Sequence, residues 1–292
     1  MNGGKVLRRR AFAKINLGLE ITGRRADGYH DLVTIFQTID LADEITVASA
    51  PDGTLTLAAD PALGGEQNLI LRAARALVAH SGTTRGAAMT LTKGIPVAAG
   101  CGGGSSDAAT TLVALRALWA LPTTDAELAR LAARLGADVP FFLRGGTALA
   151  TGIGERLTPL PPQSKTWFVL VTPRLVLPAD KTRRLYAALG ADDRGDGTRT
   201  LDQAARLRRG EAVDPALLVN SFAAPLARLF PVLAVWEARM LKAGAPFVQP
   251  SGSGPTLYTV APSVAAAQAI AKTLASKDAA ITVARSVKGR GG

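Results

Sequence analysis

The sequence predicts an α+β protein with two domains, and three observations lead to this prediction. Stretches that alternate apolar and polar residues, as half-buried strands do, are interspersed with stretches of helical period along the whole chain. The 292 residues, 48% of them hydrophobic, can bury one large core or two modest ones, and two is the usual division at this length. Prolines at 159–162 suit an extended linker, so we place the domains at 1–160 and 161–292.

The first predicted strand covers residues 10–21, where apolar side chains occupy alternate positions. Lys14 and Asn16 fall on its polar face, and a lysine in mid-strand is ordinarily a solvated surface residue. A loop rich in glycine and charge follows, and it carries Tyr29 and His30. The pattern alone therefore assigns no function to any of these four side chains.

Two helices of the first half carry clear end signals. Residues 68–81 show apolar residues at helical spacing, and Gly82 lies just past the end, so His80 is expected to be a helix-end residue rather than a ligand. Residues 124–127, Thr-Asp-Ala-Glu, form a capping box that opens a helix ending at Leu135.

A glycine-rich loop is the segment around which the chain is organised, with four glycines within residues 100–104. The lack of bulky side chains leaves backbone N–H groups unshielded and permits positive φ, as a phosphate-binding nest requires. Helix-forming residues 108–120 follow, and we expect Ser105, Ser106 and Asp107 to cap this helix. Its positive end would face the loop, so the predicted occupant is polyphosphate, with a glycine-rich linker as the alternative.

Two common phosphate-binding motifs do not fit this loop. A P-loop needs a lysine and a Ser or Thr after its last glycine, whereas Gly104 is followed by two serines. The dinucleotide fingerprint fits at Gly100 and Gly102 but requires a third glycine where Ser105 stands. The loop therefore represents a different phosphate motif.

A single aspartate, Asp138, follows the helix that ends at Leu135, and its neighbours are apolar. An aspartate two residues after a glycine is usually a turn residue or a helix cap. That interpretation stays open beside a functional one.

The second half is predicted to contain two strands, five helices, a mobile loop rich in Gly, Asp and Arg, and a second glycine turn. The strands lie at 167–172 and 280–287, the helices at 182–189, 201–208, 215–230, 232–243 and 263–275, the loop at 191–200 and the turn at 251–254. The open backbone of the turn can approach the first glycine loop closely.

Composition excludes several classes of function. The single cysteine, Cys101, forms no internal disulfide, and the presence of only two histidines, His30 and His80, argues against a Cys/His zinc site and against a triad built on histidine, so no metal ligands are predicted. The residues behind the net charge of +11 are scattered without an aromatic stripe, so they indicate anionic small molecules rather than nucleic acid. No apolar run reaches the roughly 20 residues of a membrane span and no signal peptide is recognisable, so a cytoplasmic protein is expected.

The chain resembles the GHMP kinases from about Ala11 to Val287, and four phrases within that range resemble motifs of the family. The glycine loop resembles P-x-x-x-G-L-G-G-G-S-S-D/N-A, with Cys101 in place of the usual Leu. Residues 13–17, A-K-I-N-L, resemble the first motif, and residues 250–256 resemble the third, with Pro250 in place of Met. Residues 136–142, G-A-D-V-P-F-F, resemble the catalytic-aspartate motif.

The early loop resembles one branch of this family more closely than the others. Residues 25–32 match R-x-D-G-Y-H-D/E-L and residues 36–40 match F-Q-x-I/L-D, phrases of the branch whose alcohol substrate carries a cytidine diphosphate group. One departure is residues 220–223, N-S-F-A, where the family has N-D-F/L-E, so we carry no function onto them.

The resemblance implies a fold, two ligands and a set of site residues. The implied fold has an N-terminal domain like domain 2 of ribosomal protein S5 and a ferredoxin-like C-terminal domain, and the implied ligands are ATP with Mg²⁺ and the cytidyl substrate. It implies Lys14 and Asp138 as the catalytic pair. The implied substrate-binding residues are Asn16, Tyr29, His30, Thr182 and Tyr186. The implied ATP-binding residues are Pro96, Val97, Ala98, Ala99, Gly100, Cys101, Gly102, Gly103, Gly104, Ser105 and Ser106.

Two alternatives come from other classes. A GHMP kinase for another alcohol would keep the glycine loop without a reason for Tyr29 and His30, and a binding module without catalysis would need neither Lys14 nor Asp138. The presence of all these residues favours the cytidyl-substrate kinase.

Overall fold

The structure, a computed structural model, describes residues 5–163 and 165–289. Within these residues the chain is an α+β protein, as the sequence predicts. The strands are β1 (Val6–Arg24), β2 (His30–Ala50), β3 (Leu55–Ala58), β4 (Gly86–Thr92), β5 (Thr147–Thr151), β6 (Arg156–Leu160), β7 (Trp167–Pro173), β8 (Gln249–Pro250), β9 (Leu257–Ala261) and β10 (Ala279–Arg285). The α-helices are α1 (Leu69–Ser81), α2 (Gly103–Trp119), α3 (Asp125–Leu135), α4 (Val139–Arg144), α5 (Lys181–Ala187), α6 (Thr198–Arg208), α7 (Ala223–Leu229), α8 (Val232–Lys242) and α9 (Val264–Leu274). No helix among the described residues has both the length and the apolar composition to cross a membrane.

The chain forms two compact units, and β1 and β2 contribute residues to both. Unit 1 contains the described residues up to Ala13 together with Leu41–Val97 and Gly102–Arg144. Unit 2 contains Lys14–Asp40, Ala98–Cys101 and the described residues from Gly145 onward. The division at residue 160 is a different one, and it stays a prediction.

Unit 1 combines a small sheet with four helices that contact one another. The C-terminal part of β2 pairs antiparallel with β4, and β4 pairs parallel with β3. Gly82 ends α1 at φ +67°, as predicted, and Asn68 caps the start of this helix by accepting the N–H of Ile70, which the sequence analysis did not predict. The predicted capping box of α3 is also present, with both of its hydrogen bonds. These local signals succeed because each depends only on neighbours along the chain.

Unit 2 is built on an antiparallel sheet in the order β10-β7-β9-β8. The helices α8 and α9 cover this sheet, and their apolar residues, such as Trp236, Met240 and Ile270, pack on Val169 and Leu257. The N-terminal part of β2 pairs with β5, which pairs with β6. The segment Lys14–Asp40, which contains parts of β1 and β2, also belongs to this unit and carries the polar residues that the sequence analysis identified there.

Several predicted elements differ from the structure. The prediction of one helix over residues 215–230 is wrong, because only Pro215–Leu217 and Ala223–Leu229 are helical within this range. Asn220 bridges to Leu19 of β1 instead, and its Nδ2 donates to the carbonyl oxygens of Pro250 and Gly252 at 2.9 Å. This tertiary contact outweighs the local helical pattern.

Residues 198–200 belong to α6 rather than to the predicted loop, and hydrogen bonds connect the segment 191–200 to β1. The N–H of Gly195 donates to the carbonyl oxygen of Ile21 on β1. The buried Glu20 carboxylate accepts the N–H groups of Gly197 and Thr200, so it replaces the missing side-chain cap of α6. The helix consequently begins at Thr198, before the predicted start.

Candidate active site

Lys14 lies on β1 inside unit 2, and its side chain is only 3% exposed. The ordinary expectation of a solvated lysine in mid-strand is therefore wrong here. Its Nζ donates to Asn16 Oδ1 at 2.7 Å and to the carbonyl oxygen of Gly100 at 3.0 Å. Asn16 is fixed in turn, because its Nδ2 donates to Thr34 Oγ1 at 2.7 Å. The two side chains form an ordered polar pair on one face of β1, in contact with the glycine loop.

The loop segment Ala98–Cys101 approaches the second glycine turn within unit 2, which confirms the expected close approach of the two backbones. Gly100 has a φ of +83°, and a Cβ atom placed there would lie 2.0 Å from the carbonyl oxygen of Ser251. The Oγ of Ser251 donates to the carbonyl oxygen of Gly100 at 3.0 Å, beside Lys14. Only glycine fits at position 100, because both the backbone conformation and the contact exclude a side chain.

The second part of the loop continues into α2 in unit 1. Gly102 is the N-cap residue at φ +71°, and no side chain among the described residues caps this helix. The predicted capping by Ser105, Ser106 and Asp107 is wrong, because Ser106 Oγ donates to the carbonyl oxygen of Phe12 at 2.7 Å instead. The first N–H groups of a 17-residue helix therefore face the loop at its positive end, an arrangement that suits phosphate oxygens.

The predicted ATP-binding residues differ in exposure. Val97, Ala98 and Gly104 are exposed, Pro96, Gly100, Gly102, Gly103 and Ser105 are half-buried, and Ala99, Cys101 and Ser106 are buried. The burial of Cys101 agrees with its place at an apolar position of the motif. A Cβ atom on Gly103 would lie 3.1 Å from Lys93 Nζ, so this glycine faces packed side chains of unit 1.

A buried ion-pair cluster adjoins the start of α2 in unit 1, and sequence reasoning missed it. Lys93 Nζ contacts Asp43 Oδ2 and lies 3.3 Å from Asp107 Oδ2. Asp43 Oδ1 also accepts the N–H groups of Gly94 and Ile95 at 2.7 and 2.8 Å, which fixes the turn leading into the loop. Asp107 Oδ1 has no hydrogen-bond partner within the described part of the chain. Burial raises the pKa of Asp107 to about 7, while Lys93 opposes the rise and the Asp43 carboxylate adds to it.

Replacing Asp107 by Asn should change how stability depends on pH. Because the pKa of Asp107 is raised on folding, the folded protein holds a proton that the unfolded chain has released, and stability falls as pH rises from about 4 to about 7. The Asn variant has no carboxyl group at this position and does not lose stability in this way. Between about pH 5 and about pH 8, the free energy of unfolding of the variant minus that of the wild type should therefore increase by roughly 1–4 kcal/mol. Thermal unfolding at several pH values measures this difference. The control Asp125→Asn alters a carboxylate with 91% side-chain exposure and should show no such trend, and an equally flat result for Asp107→Asn would contradict the raised pKa.

Asp138 lies in unit 1, in the short turn between α3 and α4, and is half-buried. The N–H of Val139 donates to the carbonyl oxygen of Gly136 at 3.2 Å, which closes the turn. Val139 and Phe141 are buried on α4, a helix that the sequence analysis did not predict. The turn interpretation of Asp138 is thus correct locally, and its catalytic role stays a prediction.

The predicted substrate-binding residues of the early loop and α5 are partly brought together in unit 2. The rings of His30 and Tyr186 stack with centroids 4.8 Å apart, and Thr182 Oγ1 lies 3.2 Å from Ser253 Oγ on the second glycine turn. Tyr29 is 61% exposed and lies outside this stack. Burial lowers the pKa of His30, and the positive charges of Arg194 and Arg24 add to the effect, so the imidazole is neutral at pH 7.

A second buried lysine, Lys181, was also missed by sequence reasoning. Its Nζ donates to the carbonyl oxygens of Ala98, Ser253 and Gly254 within unit 2. In the sequence it is a single lysine before a predicted helix, a pattern shared by many surface lysines. Only the fold distinguishes it from those.

Comparison with known proteins places this geometry in a family. The sequence profile of the GHMP kinases N terminal domain matches residues 68–146. A 4-diphosphocytidyl-2-C-methyl-D-erythritol kinase of Moorella thermoacetica is 41% identical over 266 residues, which cover 90% of this chain and 93% of that protein. The protein of the same name from Pseudomonas putida is 52% identical over 164 residues, which cover 56% of this chain and 57% of that protein.

A solved structure gives the same relationship. The crystal structure of a 4-(cytidine 5'-diphospho)-2C-methyl-D-erythritol kinase superposes with a TM-score of 0.84 at 38% identity, covering 97% of this chain and all of that one. The GHMP kinase fold expected from the sequence motifs is therefore confirmed. The chain belongs to the GHMP kinases, in the branch of the 4-diphosphocytidyl-2-C-methyl-D-erythritol kinases.

Proposed function

We propose that this chain is an ATP-dependent kinase that phosphorylates the 2-hydroxyl group of 4-diphosphocytidyl-2-C-methyl-D-erythritol, a step of the non-mevalonate route to isoprenoid precursors in the cytoplasm. The observation that carries the proposal is the hydrogen bond from the buried Nζ of Lys14 to the carbonyl oxygen of Gly100. It joins a cation on β1 to the glycine loop, and phosphoryl transfer requires positive charge beside a phosphate cradle.

ATP is proposed to bind by its phosphates at the glycine loop. Two features of the loop fit a phosphate group, because both present backbone N–H groups that no side chain covers. They are the uncapped start of α2 and the glycines at positions 100 and 102, which have positive φ. Among the described residues, no group of three or more acidic, His or Cys side chains could hold a metal ion. Mg²⁺ is proposed to arrive with the nucleotide as MgATP, where it neutralises phosphate charge.

The chemistry is proposed to rest on two side chains. Asp138 accepts the proton of the substrate hydroxyl as its oxygen attacks the γ-phosphorus. The ammonium group of Lys14 stabilises the negative charge that develops during transfer, and Asn16 holds that ammonium group in place through its Oδ1. Burial strengthens this electrostatic effect, because the local dielectric constant is lower than that of water.

A panel assay tests the activity and the substrate separately. The purified protein is incubated with ATP, Mg²⁺ and either the cytidyl substrate, mevalonate, homoserine or galactose, and ADP is measured. We expect kcat/KM for the cytidyl substrate to exceed the others by about 10²-fold or more. A higher kcat/KM for another alcohol would contradict the proposed substrate. The absence of ADP with every alcohol would contradict the proposed kinase activity.

The cytosine ring is proposed to be recognised by His30 and Tyr186. Their stacked rings offer a flat apolar surface of the kind on which bases stack, although stacking alone accepts any base. Discrimination requires hydrogen bonds, and a neutral His30 carries one donor and one acceptor nitrogen that can read a pyrimidine edge. Tyr29 and Thr182 are proposed to complete this subsite.

Substrates with cytosine and uracil should therefore differ in kcat/KM. Uracil replaces the amino donor by an oxygen acceptor, and each mismatched buried partner costs roughly 1–3 kcal/mol, or about 10- to 10²-fold. We expect His30→Ala to reduce the ratio of kcat/KM for the cytosine substrate to kcat/KM for the uracil substrate. The control His80→Ala, which alters a histidine at the end of α1, should leave that ratio unchanged. Equal kcat/KM values for both bases in the wild type would contradict the proposal.

A further inference from the structure

Lys181 is a buried cation that the proposed chemistry does not use. It is the first residue of α5 and is 5% exposed, whereas lysine is among the residues least often buried. Burying an ammonium group costs several kcal/mol unless hydrogen bonds compensate, so a lysine in this position needs a structural explanation.

Its three N–H bonds are all used, and they join two loops. Lys181 Nζ donates at 2.8 Å to the carbonyl oxygen of Ala98 on the glycine loop. It also donates to the carbonyl oxygens of Ser253, at 2.9 Å, and Gly254 on the second glycine turn. Within the described residues, none of its hydrogen-bond partners is a carboxylate, so its charge is balanced by carbonyl dipoles.

These contacts determine which way the glycine loop presents its N–H groups. A trans peptide group is planar, so a carbonyl held in one direction forces the N–H of the next residue in the opposite direction. Lys181 holds the carbonyl of Ala98, which orients the N–H of Ala99. Lys14 and Ser251 hold the carbonyl of Gly100, which orients the N–H of Cys101 in the same manner. Neither of these two N–H groups donates a hydrogen bond within the described part of the chain.

The backbone conformation of Ala98 is unfavourable by itself and needs a stabilising contact. Ala98 has a φ of +54°, a left-handed conformation that costs a non-glycine residue about 1–2 kcal/mol. The residue is exposed, so packing does not supply the compensation. The hydrogen bond from Lys181 to its carbonyl oxygen is the contact that does.

We propose that Lys181 is a positioning residue for ATP: its ammonium group holds the carbonyl of Ala98 and the second glycine turn together and thereby aims the N–H of Ala99 at a phosphate oxygen. The inference rests on the proposed binding of ATP phosphates by the glycine loop. It adds a residue of α5 to the phosphate site, next to Thr182 of the proposed substrate subsite.

Loss of the charge should weaken nucleotide binding more than turnover. We expect Lys181→Met, which keeps the aliphatic stem, to raise the Kd for MgATP by about 10-fold or more, as expected for one lost hydrogen bond to a charged group. The KM for the cytidyl substrate and kcat at saturating ATP should change by less than about threefold. The matched control is Lys242→Met, which alters an exposed lysine at the end of α8 and should leave the Kd for MgATP unchanged.

The pH dependence of the wild type gives a second measurement that needs no variant. Burial lowers the pKa of Lys181 to about 8, and the charge of Lys14 adds to the effect. Burial raises the pKa of the Cys101 thiol, so this neighbour stays neutral in the same range. Deprotonation of Lys181 removes its charge, so the Kd for MgATP should rise from about pH 7.5 to about pH 9, and this rise should be absent in Lys181→Met.

Isothermal titration calorimetry with MgATP, beside the ADP assay and thermal unfolding, separates the outcomes. A lower melting temperature with an unchanged Kd in Lys181→Met would show a merely structural role and overturn the proposal. If the variant does not fold, a Kd of the wild type that stays constant across the pH range would overturn it. A wild type that binds MgATP but phosphorylates no alcohol would refute the proposed function alone, whereas one that does not bind MgATP would refute both.

Discussion

Replacement of Asp138 by Asn is expected to lower kcat by about 10²- to 10⁴-fold, the range typical for loss of a positioned acid or base. The amide has nearly the same shape as the carboxylate but cannot accept the proton of the substrate hydroxyl. The Kd for MgATP should stay within about threefold of the wild type, because Asp138 is not proposed to contact the nucleotide. Steady-state kinetics together with calorimetry measure both quantities.

Lys14→Met should act in the same direction, since it removes the charge that stabilises the transferred group. It also leaves Asn16 Oδ1 and the carbonyl oxygen of Gly100 without their ammonium donor, so a somewhat larger Kd for MgATP should accompany the lower kcat.

The matched control for Asp138→Asn is Asp202→Asn on the exposed face of α6, which should leave kcat unchanged. An Asp138→Asn enzyme that retains most of its turnover would remove Asp138 from the proton-transfer role.

Gly100→Ala is the second change with a large expected effect. The added Cβ would meet the carbonyl oxygen of Ser251 at 2.0 Å and the backbone nitrogen of Gly254 at 2.8 Å, so backbone atoms rather than a flexible side chain must move. Movement of the loop misdirects its N–H groups, and each lost hydrogen bond to a charged phosphate costs roughly 1.5–3 kcal/mol. The Kd for MgATP should therefore rise by about 10- to 10²-fold per lost bond.

Gly210→Ala separates this contact from simple backbone strain. Gly210 has a φ of +77°, close to that of Gly100, but a Cβ atom placed there would meet no atom within 4 Å. Both variants should lose stability by about 1 kcal/mol from the positive φ, and only Gly100→Ala should lose affinity for MgATP. Equal MgATP affinities in the two variants would contradict the assignment of the loop to phosphate binding.

Sequence patterns predicted the features that depend on neighbouring residues. The glycine that ends α1 and the capping box of α3 were predicted correctly, because each signal involves residues only a few positions apart. The glycine at position 100 was recognised for the same reason, since its freedom of φ is a property of the residue itself.

Features that depend on distant residues could not be predicted in this way. Residues 215–230 have a helical pattern, yet Asn220 is held by backbone groups about 30 positions away and interrupts it. The capping role expected of Asp107 is replaced by a contact with Lys93, a residue on the other side of the glycine loop. Lys181 is indistinguishable in sequence from a surface lysine, because its partners lie 72 to 83 positions away.

The position of the new phosphate group tests the central claim most directly. The 2-carbon of the substrate carries a methyl group and no hydrogen, so a phosphate monoester on the 2-hydroxyl has no proton on its ester carbon. After complete conversion with ATP and Mg²⁺, the phosphorus NMR spectrum of the product should show one monoester signal without three-bond coupling to a proton. A monoester signal split by such a proton would place the phosphate on a primary or secondary hydroxyl and contradict the proposed reaction.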